Sequence, residues 1–471
     1  MPKRSLRFIA PDEVVARGLA EIRERLDIPE DFSEDVLNEA RSVEPVSPTE
    51  DLTGIPFVTI DPPGARDLDQ ALHIETRDDG YRVWYAIADV AAFVPPGGPM
   101  DLEARQRGLT MYGPDHRSLL YPDLVSEDMA SLLPGQDRPA VTWTLDLEGD
   151  GRLVETEVRR ALVRSRGQLD YATVQHQLES GSAPPSLRLL AEVGRMRQLL
   201  EIQRGAVSLS IPDQVVTRVD GGWKLEFRHP LPVEGWNAQI SLLTGIAAAG
   251  LMIAEEEGLL RTLPPARPEE LAWMRRVAKA MEVSWPETVE YPELIRSLDA
   301  RIPAHAALLA ESTTLFSGAG YQVLAPGVEP YRHSALSTHY AHATAPLRRL
   351  VDRFVSEACL AIRSGGEVPD WVTATLGDLP DIMARADSIS GNYEAMSLNL
   401  VEAAVLSGRE GESFTGVVVE VDRHDPHGDI QLRDPAVHAR IDGADLALGE
   451  EMEVELVEAS VADRRVRFER A

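Results

Sequence analysis

Hydrophobic and polar positions along this chain alternate between a helical period and a strand period. Val14, Val15, Leu19, Ile22 and Leu26 recur at helical spacing behind Pro11-Asp12-Glu13, predicting one helix, and Phe32 to Ala40 predicts a second, shorter one. Ile55 to Ile60 has the composition of a strand that delivers Asp61 to a Pro62-Pro63-Gly64 turn. Ala71 to Glu75 and Tyr81 to Asp89 read as strands joined at Asp78-Asp79-Gly80, and Val141 to Val163 as a hairpin about Glu148-Gly149-Asp150-Gly151. Leu189 to Leu200, Gln239 to Glu256 and Asp381 to Leu406 read as helices. So does a segment with Thr344 as N-cap, Pro346 in its first turn and a stripe of Leu347, Leu350, Val351, Phe354, Val355 and Ala358. In that helix Arg348 falls off the stripe, in the first turn, where backbone N–H groups favour an anion; the competing reading pairs it with Asp352. Five short alternating strands close the chain: Thr415–Val421, Asp429–Arg433, Val437–Ile441, Met452–Glu458 and Arg464–Phe468. They suit a small β-barrel of the OB type. The expectation is an α+β protein in three parts: residues 1–50 as a helical module, 51–410 as a mixed sheet with helices, and 411–471 as the barrel.

Composition narrows the class. The chain has 471 residues, 44% of them hydrophobic, enough for a large core. Met1 to Ala20 is charged throughout and lacks the apolar core of a signal peptide, and the apolar run Ile240 to Ala254 ends in three glutamates, so a buried helix is expected rather than a membrane span. The single cysteine, Cys359, excludes internal disulfides and multi-cysteine zinc sites and is consistent with the cytoplasm. A net charge of −30 argues against coating nucleic acid with the whole surface, but leaves room for a local basic channel. Candidates for it are Arg159, Arg160, Arg164, Arg166, Arg348, Arg349 and Arg353.

The chemistry is concentrated in IPFVTIDPPGARDLDQALHIE, residues 55–75, which brings Asp61, Asp67, Asp69 and Gln70 within ten positions. An extended backbone would split them between two faces, so a loop is expected. Carboxylates crowded together repel, and a divalent cation relieves that repulsion. Oxygen ligands without Cys or His favour Mg²⁺, or Mn²⁺, over Zn²⁺. Phosphodiester hydrolysis is the natural chemistry for such a site. A His339/His342 pair could in principle hold zinc, but the aspartates already supply a metal site.

TIDPPGARDLDQAL resembles the active-site signature of the ribonuclease II / ribonuclease R (RNB) family of exoribonucleases, with Gln70 in place of the family's fourth acidic residue. Tyr85 to Val90, Asp101 to Met111 and Leu124 to Leu132 resemble the same family in the same order. Tyr340 to Arg349, YAHATAPLRR, is similar to its Y-x-H-x-T-S-P-x-R-R motif, and the likeness runs roughly from Leu52 to Leu406. It implies an RNB-type catalytic domain acting as a metal-dependent 3′→5′ exoribonuclease on single-stranded RNA, or on structured RNA with a 3′ overhang, releasing nucleoside 5′-monophosphates. It implies Asp61, Asp67, Asp69 and Gln70 as metal ligands, Asp69, Arg348 and Glu394 as catalytic residues, and Tyr112, Arg348 and Arg349 as RNA contacts. The C-terminal barrel would bind RNA as an OB fold, poor in aromatics, through Arg423, Arg433, Arg440 or Arg464. The family's usual pair of N-terminal cold-shock domains does not fit in 50 residues, so a module of helix-turn-helix type or a structural brace is expected there. Family helix positions E-x-M-x-x-A-N read Gln239 to Gly245 here, and this change together with Gln70 motivates the alternative of a non-catalytic RNA-binding or regulatory protein on a degenerate nuclease fold. The expected partner is RNA, with no membrane and no obligate protein partner, and the expected state is a monomer.

Overall fold

A computed structural model of the chain describes residues 9–46, 48–209, 212–422 and 426–471. The two N-terminal helices form as α1 (Asp12–Arg25) and α2 (Glu34–Ser42), the second capped by Ser33, whose side chain accepts the Val36 N–H. The acidic loop then joins β1 (Phe57–Asp61) to β2 (Gln70–Arg77), and β3 (Gly80–Ala88) returns antiparallel to β2. Next come α3 (Pro99–Arg107), the short hairpin β4 (Met111–Tyr112) and β5 (Arg117–Ser118), and the long hairpin β6 (Asp137–Leu147) and β7 (Leu153–Asp170). Strands β1, β2, β3, β6 and β7 close into a barrel, because β7 continues past its hairpin and pairs parallel with β1. Its core includes Phe57, Tyr85 and Trp143, none more than 1% exposed.

Helices α4 (Tyr171–Glu179) and α5 (Pro185–Gln203) follow, then the hairpin β8 (Asp213–Val219) and β9 (Gly222–Arg228), then α6 (Pro232–Ala254). By length and composition α6 could cross a membrane; here it buries Ile240, Leu243, Ala248 and Met252 in the same core as the barrel. After β10 (Gly258–Thr262) come α7 (Pro268–Ala280), α8 (Tyr291–Ser297) and α9 (Pro303–Ser312), and β11 (Gly320–Leu324) pairs back onto β10. Helices α10 (Leu350–Ser364), α11 (Asp370–Leu376) and the 28-residue α12 (Leu379–Leu406) lead to β12 (Ser413–Val421), β13 (His427–Leu432), β14 (His438–Asp442), β15 (Glu451–Ser460) and β16 (Arg465–Arg470). These five strands are the ones expected, and they close a second barrel in the order β12-β13-β14-β16-β15. The mixed architecture with a terminal five-stranded barrel is therefore as the sequence implied.

Two features differ. The N-terminal helices do not form a unit of their own. α1 buries Val15, Leu19 and Ile22 in a cluster with Leu400, Val401 and Val405 of α12 and with the second barrel, whereas α2 buries Val36 and Ala40 in the core of the first barrel. Each is packed on a different part of the chain. The other difference is where α10 starts: at Leu350, with Arg349 as the residue before it, not at Thr344. Arg349 is held extended by a bridge to Leu109, and Asp352 accepts the Ala345 N–H at 2.7 Å, so residues 344–349 are a tethered turn.

Candidate active site

The site is assembled at one end of the first barrel. Pairing of Val58 with Leu72 sets the end of β1 opposite the start of β2, so Asp61 and the pair Asp69-Gln70 arrive at the same rim. The loop between them is pinned from below: Leu132 donates its N–H to the Leu68 carbonyl at 3.0 Å, and Ala88 to that of Asp69 at 2.9 Å. Asp69 is only 4% exposed. Its Oδ1 accepts the Leu347 N–H at 2.8 Å, and Arg348 Nε stands 3.5 Å from its Oδ2. The motif loop 341–349 therefore lies directly on the acidic loop.

Asp67 reaches the other side. It accepts the Tyr112 hydroxyl at 2.6 Å, and Arg117 lies 3.5 Å away, so the β4–β5 hairpin presents both to the loop. That hairpin is itself bolted to the chain between α1 and α2. Buried Arg107 stacks on Phe32, 3.9 Å from the ring centre, and donates to the carbonyls of Pro29, Asp31 and Leu119. Half of the Tyr112 residue surface remains exposed at 47%, leaving an aromatic face beside the acidic rim.

Burial raises the Asp61 carboxyl to about 6 and the Asp69 carboxyl to about 8, with the Arg348 guanidinium working against the shift in both. Asp61 Oδ2 is buried without a hydrogen-bond partner. Carboxylates pushed up by burial, one of them with an unsatisfied oxygen, suit a cation, and the donor set is all oxygen, as Mg²⁺ or Mn²⁺ prefers. Among the described residues no three His, Cys, Asp or Glu side chains converge into a ready-made cage. That fits an ion which keeps much of its water and is held by one or two carboxylates together with substrate phosphate.

Several expected residues stand elsewhere. Gln70 is at the rim, but its amide is committed: Nε2 donates to the Thr344 carbonyl at 2.5 Å, and Oε1 accepts the Tyr85 hydroxyl at 3.1 Å. Arg349 is held bidentately by Asp352 at 2.8 and 2.9 Å, since the turn before α10 points it there instead of Arg348. Arg348 is left half-exposed towards the rim, with Asp69 as its carboxylate neighbour. Glu394 lies exposed on α12, with no hydrogen bond or ion pair to the acidic loop among the described residues. Most of the supposed basic channel is consumed internally. Arg160 pairs with Asp89 and Glu357, Arg159 with Glu50, Arg164 with Asp137, and Arg353 is wholly buried on Asp101. Arg166 donates to the Thr53 carbonyl. In the second barrel Arg440 pairs with Asp442 and Arg464 with Glu21, Arg433 is exposed, and Arg423 lies outside the described residues. His342 Nδ1 is 2.8 Å from the Tyr321 hydroxyl and His339 Nε2 is 3.2 Å from the Pro330 carbonyl.

Pattern reading missed the Leu347 N–H, Arg117, Tyr85 and Ser241. The first is backbone and carries no residue signal. The other three acquire meaning only when distant segments meet.

A family model for the RNB domain matches residues 49–362, and one for the RNase II-type exonuclease C-terminal S1 domain matches residues 412–471. The chain is 27% identical over 333 residues to the exosome complex exonuclease RRP44 of Homo sapiens, covering 68% of this chain and 35% of that protein. To ribonuclease R of Escherichia coli K12 it is 28% identical over 322 residues, covering 64% and 39%. It thus spans little more than a third of these curated relatives. The fold matches Mycoplasma genitalium RNase R, solved in complex with ribose-methylated single-stranded RNA, with a TM-score of 0.88 at 19% identity, over 98% of this chain and 78% of that one. A barrel rim carrying buried aspartates against an arginine turn, matched by a domain model over more than half the residues, places the chain in the RNB-domain family.

Proposed function

We propose that this chain is a metal-dependent exoribonuclease that shortens single-stranded RNA from its 3′ end and releases nucleoside 5′-monophosphates. The observation that carries the reading is the convergence on Asp69 of a buried carboxylate, a backbone N–H and the Arg348 guanidinium at one barrel rim. Exonuclease action on RNA is supported by the family and by the names of its relatives, ribonuclease R and an exosome exonuclease; direction and product rest on the motif resemblance described above.

One or two of Asp61, Asp67 and Asp69, together with substrate phosphate, would hold Mg²⁺ or Mn²⁺, which when bound polarises a phosphoryl oxygen and makes a water more acidic. Arg348, half-exposed beside them, can donate two parallel N–H bonds to a phosphate, fixing the scissile group against the carboxylates. Asp69 orients Arg348 while its Oδ1 is occupied by the Leu347 N–H, so its position is set before substrate arrives. Tyr112 offers a face on which a terminal base stacks regardless of its identity, as a nuclease acting on every sequence needs.

The test is a 5′-labelled oligoribonucleotide with Mg²⁺, resolved on a gel. A ladder that shortens stepwise and stops with chelator is expected; a shifted but intact band would instead mean an RNA-binding protein without turnover. The stacking role has its own readout, anisotropy of a short oligoribonucleotide in chelator. Tyr112→Ala should weaken binding by about 1–3 kcal/mol, roughly 5- to 150-fold. Tyr112→Phe, which keeps the ring and loses only the bond to Asp67, should bind within about twofold of the parent.

A further inference from the structure

We infer that Gln70 docks the arginine-bearing loop onto the barrel and is a positioning residue rather than a ligand of the cation; the role in catalysis rests on the nuclease reading above. Consecutive residues Asp69 and Gln70 grip the same loop with opposite chemistry. Asp69 accepts the Leu347 N–H at 2.8 Å, and Gln70 donates to the Thr344 carbonyl at 2.5 Å. A backbone carbonyl can only accept, so the amide must turn its nitrogen to Thr344 and its oxygen to the Tyr85 hydroxyl, 3.1 Å away. Tyr85, 1% exposed, spends its proton on Gln70 and must therefore accept from Ser241, whose Oγ is 2.7 Å off on α6. The result is one directed chain: Ser241 to Tyr85 to Gln70 to Thr344.

The same face of α6 makes a second attachment one turn on. Gly245 accepts the Ala341 N–H at 3.1 Å, and a Cβ there would sit 2.2 Å from the Tyr340 ring and 2.5 Å from the Ala341 carbonyl. The three departures from the family pattern now separate. Gln70 and Gly245 both serve the seat of residues 340–347, while Gln239 is buried against Glu201 on α5 and belongs to helix packing. A carboxylate at position 70 has no proton for Thr344 and sets oxygen against oxygen. An acidic residue, although richer in charge for a cation, would loosen the loop that carries Arg348.

The experiment uses the full chain and the variants Gln70→Glu, which keeps the length but has no N–H, Tyr85→Phe and the milder Ser241→Ala. Amide hydrogen exchange of residues 341–349, read in chelator without RNA, should quicken about five- to tenfold in Gln70→Glu and in Tyr85→Phe, the loss of about 1 kcal/mol per bond. Ser241→Ala should give a smaller rise. With Mg²⁺ and an oligoribonucleotide, kcat should fall in step with the exchange while the half-saturating Mg²⁺ stays within about twofold of the parent. The combination Gln70→Glu with Tyr85→Phe should cost no more than the worse single change, since both break one chain. Parent-like exchange in Gln70→Glu, or a several-fold shift in half-saturating Mg²⁺ confined to that variant, overturns the inference. If the parent cleaves no RNA but the exchange responds as stated, the docking role stands and the nuclease reading is what fails.

Discussion

Asp69→Asn is expected to abolish turnover while leaving RNA affinity nearly unchanged. Asparagine keeps the Oδ1 that receives the Leu347 N–H, so the loop stays seated, and it removes a carboxyl, 3.5 Å from Arg348 Nε, that can ionise when a cation meets it. What is lost is the charge that meets a cation and holds the guanidinium in line. Interactions of this kind, aimed at where charge develops, are worth on the order of 10²–10³ in kcat per group. Binding energy for a strand is spread over many phosphates and bases, so the dissociation constant should move by less than about threefold. Single-turnover rates and anisotropy on the same oligoribonucleotide separate the two quantities. A wild-type rate would remove Asp69 from the mechanism, and a large loss of affinity would make it a substrate-binding residue instead.

The second large effect is structural. Asp101→Ala should destabilise the protein by about 3–5 kcal/mol, because it strips the carboxylate from Arg353, a guanidinium with no exposed surface. Asp101 is the hub of this joint between α3 and α10: it takes Arg353 at 2.7 Å, Arg105 at 2.8 Å and the Gly97 N–H at 2.8 Å. After truncation the Val94 carbonyl, 2.7 Å away, still receives Arg353 in a hydrogen bond, but no carboxylate lies within ion-pair distance of it among the described residues. Asp101→Ala combined with Arg353→Met should recover much of the loss, since the orphaned charge is gone. Urea midpoints of the three proteins check this, and equal destabilisation of the single and double variants would refute it. Burial by itself would raise the Asp101 carboxyl, but Arg105 and Arg353 outweigh it and the folded value lies below the ordinary one. The contribution is therefore fully present above the unfolded value of about 3.9 and is lost as pH falls through the lower folded value. Asp101→Ala should accordingly show a smaller stability decline between pH 5 and pH 3 than the parent.

Much of this fold is legible in the chain because its signals are local. Alternation with turn residues located both hairpins of the first barrel and all five strands of the second, and the strand-Pro-Pro-Gly break located the acidic loop. Local signals fail where partners are remote. Asp352 lies three residues from Arg349 and four from Arg348, and helical spacing accommodates either pair. What decides is the bridge from Arg349 to Leu109, some 240 positions away, which delays the helix and turns Arg348 to the rim. The β8–β9 hairpin was not anticipated, although Trp223 to Arg228 alternates strictly between apolar and charged residues behind a Gly221-Gly222 turn; its partner β8 is mostly exposed or half-exposed and carries the weaker pattern. Arginine clusters in sequence looked like phosphate contacts. Most are spent on carboxylates contributed by other elements, which an excess of acidic residues, 77 against 47 basic, makes easy to find. Glu394 was assigned by a thin likeness on a long helix, where a displacement of one residue turns a side chain by about 100° and takes it from one face to another.

The seating of α1 against α12 also sets an order of events during synthesis. Leu19 and Ile22 share their cluster with Trp223 and Leu225 of β9, made about 200 residues after them, and with Leu400 to Leu406 and the second barrel, made about 380 residues after them, roughly 20–80 s at ordinary elongation rates. Until those segments emerge α1 has an apolar side without its full cover, so it is fastened in place only after chain made long behind it has arrived.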